Sequence, residues 1–356
     1  MHMADALLSP AVAVTMYAAS AAAAGVSLVQ LHKEETAAPE LAKKKLPTMA
    51  VMSALVFAGQ MINYTIPGTG SSGHLCGGML LSAILGPWAG FLSMIVILAI
   101  QALFFADGGL LALGANVWNM AFYGCFVGYF LIYRPLMQGR LLAGKGRTKL
   151  VLASVLGCVV TLQLGALSVV VETSLSGITA LPFGAFAALM QPIHLAIGLV
   201  EGGITAAVLL FVYQTRPELL QCASAGAKNR CSRRAALAIL AAAALVIGGG
   251  LSLLASANPD GLEWSLFGNE EAGYSANMGL DEEAYGAESA AAEKAAAVQE
   301  KTSLLPDYNF DGSDSAAGTS VSGLVGCALV AALAAIISLA GRAARKRSGK
   351  KQASAG

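Results

Sequence analysis

The sequence predicts an all-α polytopic membrane protein with about nine transmembrane helices. Three observations predict it. Of 356 residues, 56% are hydrophobic and only 12% charged, which is too apolar for a water-soluble domain. The apolar stretches recur at lengths suited to a bilayer, which takes roughly 20 residues per crossing. The basic residues fall into four clusters, after the first, fifth, seventh and last apolar segments. A net charge of +1 with the two signs segregated gives no reason to expect a nucleic-acid partner.

In chain order the apolar runs are 6–31, 48–66, 75–86, 88–105, 110–133, 148–173, 180–213, 236–256 and 321–341. The run 75–86 is short for a full crossing, so it either tilts or inserts only in part. Gly86-Pro87 separates it from the next, a natural break. All of the 22 lysines and arginines except Lys294 and Lys301 follow the first, fifth, seventh and last runs. Nine alternating helices put those clusters on one side, which the positive-inside rule makes cytoplasmic. The N-terminus is then expected outside and the C-terminus inside, in a cell membrane of the bacterial cytoplasmic kind. Cys125, Cys158 and Cys327 lie within apolar runs, Cys76 starts one, and Cys222 and Cys231 flank a basic loop at no metal-binding spacing, so no disulfides are expected.

The chemistry is expected at Met1-His2. A free amine, the next amide nitrogen and the Nδ1 of a histidine at position two close on one ion as two fused chelate rings, leaving one position empty. Flat nitrogen donor sets suit Ni(II) or Cu(II), and tolerate Co(II), better than tetrahedral zinc. Histidine is too bulky at position two for ordinary removal of the initiator methionine, and no cleavable signal peptide is expected. The fourth donor must come from elsewhere. His32 falls on the predicted cytoplasmic side, whereas His74, in Pro67-Gly-Thr-Gly-Ser-Ser-Gly-His74, falls on the same outer face as Met1. The glycines around it permit close approach and positive φ, as a re-entrant hairpin needs. Cys76 is either a competing soft ligand or a small residue packed beneath the loop.

Several ordered motifs resemble one known family. They are Met1-His2-Met-Ala-Asp5-Ala-Leu-Leu-Ser9-Pro10, Gly70-Ser-Ser-Gly73-His74-Leu-Cys-Gly77-Gly78, Leu85-Gly86-Pro87-Trp88-Ala89, Gln101-Ala-Leu-Phe-Phe-Ala-Asp107-Gly108-Gly109 and Leu113-Gly-Ala-Asn116-Val-Trp-Asn119-Met120. Residues 1–215 resemble the CbiM/NikM family, the cobalt- or nickel-binding membrane subunits of energy-coupling factor (ECF) transporters. Residues 236–341, marked by Asn258-Pro259-Asp260-Gly261-Leu262-Glu263, resemble the small companion subunit of those systems. The resemblance implies a seven-helix permease bundle, a basic linker at 216–235, a two-helix hairpin with an acidic outer loop at 257–320, and a basic tail at 342–356. It places the metal on the Met1 amine, the His2 amide and imidazole, and His74, the same four nitrogens reached above. It also implies a coupling membrane subunit and ATPase subunits as partners, with no resident cofactor and Ni2+ or Co2+ as cargo. The fused companion inclines the choice to nickel. Ala4-Asp5-Ala6 departs from the usual Pro-Asp-Gly, and Cys76 replaces a usual leucine.

Other polar residues invite roles, since ionisable groups in a membrane are costly. His194 and Glu201 lie two turns apart on one helix face and either pair with each other, pair with a neighbouring helix, or line an ion path. Asn116 and Asn119 share a face, and with Ser72 and the loop residue Asp107 they either orient His74 by hydrogen bonds or pack helices together. Small residues on the first helix, Ala18, Ala19, Ser20, Ala22, Ala23 and Ala24, form either an internal contact or a partner-docking face. The segment 265–318 reads as disordered and solvated, with a fluctuating helix at 286–301, or as a cation-concentrating screen. No Gly-x-x-x-x-Gly-Lys-Ser/Thr stretch exists, so the chain is not expected to hydrolyse ATP or to be an enzyme. Two rival readings are an intramembrane metalloenzyme and a membrane scaffold with an incidental N-terminal histidine. The first lacks a His-Glu-x-x-His, and four in-plane nitrogens leave only axial room for a reactive water.

Overall fold

Each of the nine apolar runs becomes a helix, and their ends explain how the remaining chain is threaded between them. The computed structural model describes residues 1–139, 144–179, 181–222, 230–274, 289–310 and 315–353, with the backbone alone for 41–44 and 337–353. The long helices are α1 (Pro10–Ala37), α2 (Pro39–Gln60), α4 (Pro87–Phe105), α5 (Leu113–Gln138), α6 (Gly146–Ser176), α7 (Phe183–Thr215), α8 (Arg233–Gly249) and α11 (Ala316–Ala353). Shorter ones are α3 (Gly78–Leu85), α9 (Gly261–Phe267) and α10 (Ala290–Thr302). Six helices among the described residues are long and apolar enough to cross a membrane: α1, α4, α5, α6, α7 and the Ala316–Ile336 part of α11. The chain is a multi-pass membrane protein.

Sequence dictates the breaks. Ser9 accepts from the Val12 amide and Pro10 starts α1, a cap followed by a residue with no amide hydrogen to lose. Ala38 leaves the helical region because a proline follows it. The expected helix 48–66 stops at Gln60, and Tyr64–Ile66 (β1) pairs antiparallel with Ser71–Gly73 (β2). Residues 74–77 then lead into α3 (Gly78–Leu85), which is about 12 Å long at 1.5 Å per residue and cannot cross a bilayer. The run 75–86 is therefore a short buried helix that follows the β1–β2 hairpin, not a crossing. Helix α5 is wound as a π-helix over Val117–Tyr133.

Small residues set the helix contacts, as expected where lipid removes the hydrophobic drive between helices. A Cβ on Gly198 or Gly202 of α7 would stand 2.9 or 2.7 Å from the Cα of Val159 or Val155 on α6. Helices α8 and α11 meet through Gly248 and Gly323, where a Cβ would overlap the facing backbone. This pair packs on α2, with Cys327 3.5 Å from the Ala54 carbonyl. The small face of α1 makes an internal contact: the Ser20 hydroxyl donates to Gly114 of α5 at 2.7 Å.

The segment expected to be solvated is partly docked. Helix α10, close to the anticipated 286–301, is ordered against the bundle, with the Gln299 amide donating to the Ala102 and Gly108 carbonyls at 2.8 Å each. Asp281, Glu282, Glu283 and Glu288 lie outside the described residues.

Candidate metal centre

Residues 1–9 do not lie on the surface. Met1 is 5% exposed, and Met3, Leu7 and Leu8 are fully buried, so the apolar residues of this segment anchor it inside the bundle. Backbone groups buried this way need partners. Asn116 supplies two: its Oδ1 accepts from the Met3 amide at 2.7 Å, and its Nδ2 donates to the Met3 carbonyl at 3.1 Å. Gly109 donates to the same carbonyl at 2.9 Å, and the Ala112 amide donates to Asp5 at 2.9 Å.

The hairpin brings His74 to this segment. Its Nε2 lies 3.3 Å from the Met1 amine nitrogen. Its Nδ1 lies 3.1 Å from the Leu75 carbonyl, and because a carbonyl only accepts, Nδ1 carries the hydrogen and Nε2 presents a lone pair. The next two residues are clamped: the amides of Cys76 and Gly77 each donate to Glu201 at 2.9 Å, and Gln60 donates to the Cys76 carbonyl at 2.8 Å. Gly77 has φ +83°, and a Cβ there would stand 2.3 Å from Val56, so only glycine closes this turn.

The His2 and His74 rings stack, with centroids 5.2 Å apart and planes at 16°. His2 Nδ1 is 3.2 Å from Asp107, and Nε2 is buried without a partner. Burial holds the His2 imidazole below its ordinary value despite Asp107, so the ring is neutral and the contact is Nδ1–H donating to a carboxylate. Closing a chelate through Nδ1 requires this ring to turn away from Asp107, which Tyr308 also holds through a 2.5 Å hydrogen bond.

Asp260 completes the cluster. Its Oδ2 lies 2.6 Å from the Met1 amine and 4.0 Å from His74 Nε2, while Oδ1 accepts from the Leu262 and Glu263 amides at 2.7 and 2.9 Å, capping α9. The Asp260–Glu263 capping box fixes that turn. The loop before it docks on the hairpin: Ser72 donates through its amide to Pro259 and through its hydroxyl to Asn258, both at 2.8 Å.

Burial is the largest influence on each charge. It would lower the Met1 ammonium, but the Asp260 charge and hydrogen bond, with Cys76 and Asp107, raise it above its ordinary 8.0. Burial also opposes ionisation of Asp260, and the ammonium and the His74 side reverse that, holding the carboxyl well below the usual range. His74 is pushed down to about 3, by burial first and then by the nearby ammonium. The cluster therefore holds a neutral imidazole lone pair beside an ion-paired amine. A cavity of about 470 Å3, lined by His2, His74, Asp5, Asp107, Asp260 and Glu263 among others, opens onto it.

Of the residues singled out in the sequence, Met1, His2, His74 and Asp107 come together, and Ser72 holds the loop that carries Asp260. For two pairs the structure selects among the alternatives. Asn116 and Asn119 do not orient His74: Asn116 clamps Met3, and Asn119 donates to Glu172 at 2.8 Å. His194 and Glu201 do not pair: Glu201 holds the loop amides, and His194 Nδ1 lies 2.8 Å from the Met190 carbonyl. Sequence reasoning missed Asp260 and Glu172. The Asp260-x-x-Glu263 spacing signals a helix cap but gives no hint of its reach to Met1. Among the described residues no three His, Cys, Asp or Glu side chains form a group that could hold a metal; the remaining donors would be main-chain nitrogens.

Residues 2–219 match the family model "cobalt uptake substrate-specific transmembrane region", CbiM, and residues 234–343 match the PDGLE domain. The chain is 34% identical over 342 residues, 94% of its own length and 96% of the relative's, to a protein of Archaeoglobus fulgidus named as a fused nickel transport protein, NikMN. It is 36% identical to the cobalt transport protein CbiM of Sorangium cellulosum over 49% of this chain and 76% of that one. A crystal structure described as a truncated transition metal transporter superposes with a TM-score of 0.50 at 35% identity, covering 60% of this chain and 98% of the other. The chain thus belongs to the CbiM family, with a PDGLE domain in the same polypeptide.

Proposed function

We propose that this chain captures a divalent nickel or cobalt ion for uptake, holding it through the Met1 amine, the His2 amide and imidazole nitrogens, and His74 Nε2. The observation that carries this reading is the 3.3 Å approach of the buried Met1 amine to an imidazole lone pair. Two nitrogens each about 2.0–2.1 Å from one ion lie roughly 3 Å apart when adjacent, so little movement is needed. Flat nitrogen sets suit these ions, and the fused organisation shared with a relative named for nickel favours nickel.

The ion enters through the outer cavity, whose Asp5, Asp107 and Glu263 attract cations. Binding releases one proton from the amine and one from the His2 amide, and turns the His2 ring away from Asp107. Residues 1–215 form the capture unit, and the segment 236–341 supplies Asp260 to its wall. ATP hydrolysis falls to separate ATPase subunits acting through a membrane coupling subunit in the ECF manner, since the chain has no phosphate-binding loop. The test is Ni(II) and Co(II) stoichiometry and affinity of the purified chain against His2→Ala and His74→Ala. One ion per chain, lost in both variants, supports the assignment; unaltered binding in either removes it.

A further inference from the structure

Gln101, near the C-terminal end of α4, stands beside His2 but gives no donor to the chelate. It is fully buried. Its side chain lies within hydrogen-bonding reach of the His2 imidazole. Yet its Oε1 is buried without a partner, and so is His2 Nε2. Unmatched buried acceptors cost free energy and call for a specific explanation.

The neighbours decide which way the Gln101 amide points. The Tyr308 hydroxyl has one hydrogen and gives it to Asp107 at 2.5 Å, since a carboxylate only accepts. The hydroxyl oxygen is left as an acceptor, so it is the Gln101 Nε2 that donates to it, at 3.2 Å. The amide oxygen is thereby turned away from Tyr308 and needs a donor of its own. With Nδ1–H directed at Asp107, His2 offers only Nε2, a second bare lone pair. Neither acceptor can serve the other. Moving the ring hydrogen from Nδ1 to Nε2 removes the conflict. It frees the Nδ1 lone pair, as the chelate requires, and supplies the donor that Gln101 Oε1 lacks. The ring keeps one hydrogen throughout: a proton leaves Nδ1 for solvent through the adjoining cavity as another arrives at Nε2. Asp107 is the weaker claimant for it, because it keeps Tyr308 and is 25% exposed, open to water.

We propose that Gln101 is a positioning residue whose Oε1, oriented by Tyr308, accepts the Nε2–H of the metal-binding tautomer of His2. The inference rests on the Nδ1 chelate proposed above and adds no donor to the ion. Securing one ring nitrogen so that the other is aimed is how proteins prepare metal-binding histidines. Tyr308 lies within the PDGLE match, so the companion segment acts on the His2 side of the site as well as on Met1.

The test uses the full-length chain, purified in detergent, with its histidine nitrogens isotopically labelled and loaded with Ni(II). Nickel in a plane of four nitrogens is diamagnetic, so nuclear magnetic resonance can locate the hydrogen on the His2 ring. The native chain is expected to carry it on Nε2, shifted downfield and slow to exchange with water. Gln101→Leu should move that signal upfield, speed its exchange and lower Ni(II) affinity by roughly 10–100-fold. Tyr308→Phe, which lets the amide turn over, should lower affinity by a smaller factor. In the native chain alone, an Nε2–H that resonates and exchanges like that of a free imidazole overturns the proposal. So does a downfield signal that Gln101→Leu leaves in place, which assigns the acceptor to Asp107 or another group. If nickel fails to bind, or binds with the ring hydrogen on Nδ1, the Nδ1 chelate is wrong and the role of Gln101 falls with it. If the hydrogen is on Nε2 but not bonded to Gln101, only the role of Gln101 is wrong.

Discussion

Asp260 Oδ2 lies 2.6 Å from the Met1 amine, an ion pair between residues 259 positions apart, buried where the PDGLE segment meets the N-terminus. The carboxylate and an incoming ion compete for the same nitrogen, because the amine binds metal only after losing its proton. Asp260 raises the proton affinity of that amine above its ordinary 8.0. Metal affinity should therefore climb with pH to beyond pH 8 in the native chain. Asp260→Asn keeps the shape and removes the charge, so the climb moves to lower pH. Calorimetric titrations with Ni(II) between pH 6 and 9 measure the displacement; superimposable profiles would count against the pair.

The same contact stabilises the docked loop within a defined window. Asp260 is depressed, so its contribution is present above the unfolded carboxyl range, near 3.9, and is lost as pH falls through its lower folded value. The Met1 amine is raised, so its contribution is complete below 8.0 and is lost as pH rises through the folded value. Asp260 also caps α9, and asparagine caps equally well where alanine does not. Asp260→Ala should thus lower thermal stability by about 0.5–2 kcal/mol more than Asp260→Asn, as read from melting curves in detergent at neutral pH.

Asn116 holds both faces of the Met3 peptide and touches none of the proposed donors. Asn116→Asp keeps the acceptor and loses the donor, while Asn116→Ala loses both. Each should weaken Ni(II) binding by roughly 10–100-fold, alanine more than aspartate, as for loss of other outer partners of metal sites. Equal affinity in all three chains would show that the N-terminus is held by burial alone.

Glu201 accepts from two successive amides and so sets the turn that carries His74. Glutamine offers one carbonyl oxygen for those two donors. Glu201→Gln should leave one buried N–H unmatched, cost about 1–3 kcal/mol in unfolding, and reduce metal affinity in parallel. A variant with native stability and lowered affinity would instead place Glu201 on the path of the ion.

Much of this was legible in residues 1–215. Run length located the helices, and the Met1-His2 pattern with the glycine-flanked His74 singled out residues that the structure brings within 3.3 Å of each other. What could not be read concerns partners distant in sequence. Periodicity identifies a buried Asn116, Asn119 or Glu201, but hydrogen-bond partners follow from helix rotation and loop docking, which periodicity does not contain. The acidic segment misled for a related reason. Low hydrophobicity argues against a self-standing core, yet Gln299 and Tyr308 bind bundle residues directly, and neither contact has a compositional signature.

The central claim is that the first nitrogen of the chain is a ligand, and it is tested most directly by placing two glycines ahead of Met1 and measuring Ni(II) affinity. That addition keeps every side chain and moves only the free amine. A loss of at least ~100-fold, comparable to or larger than removal of an outer partner, is the expected result. Unchanged affinity in the extended chain would contradict the account.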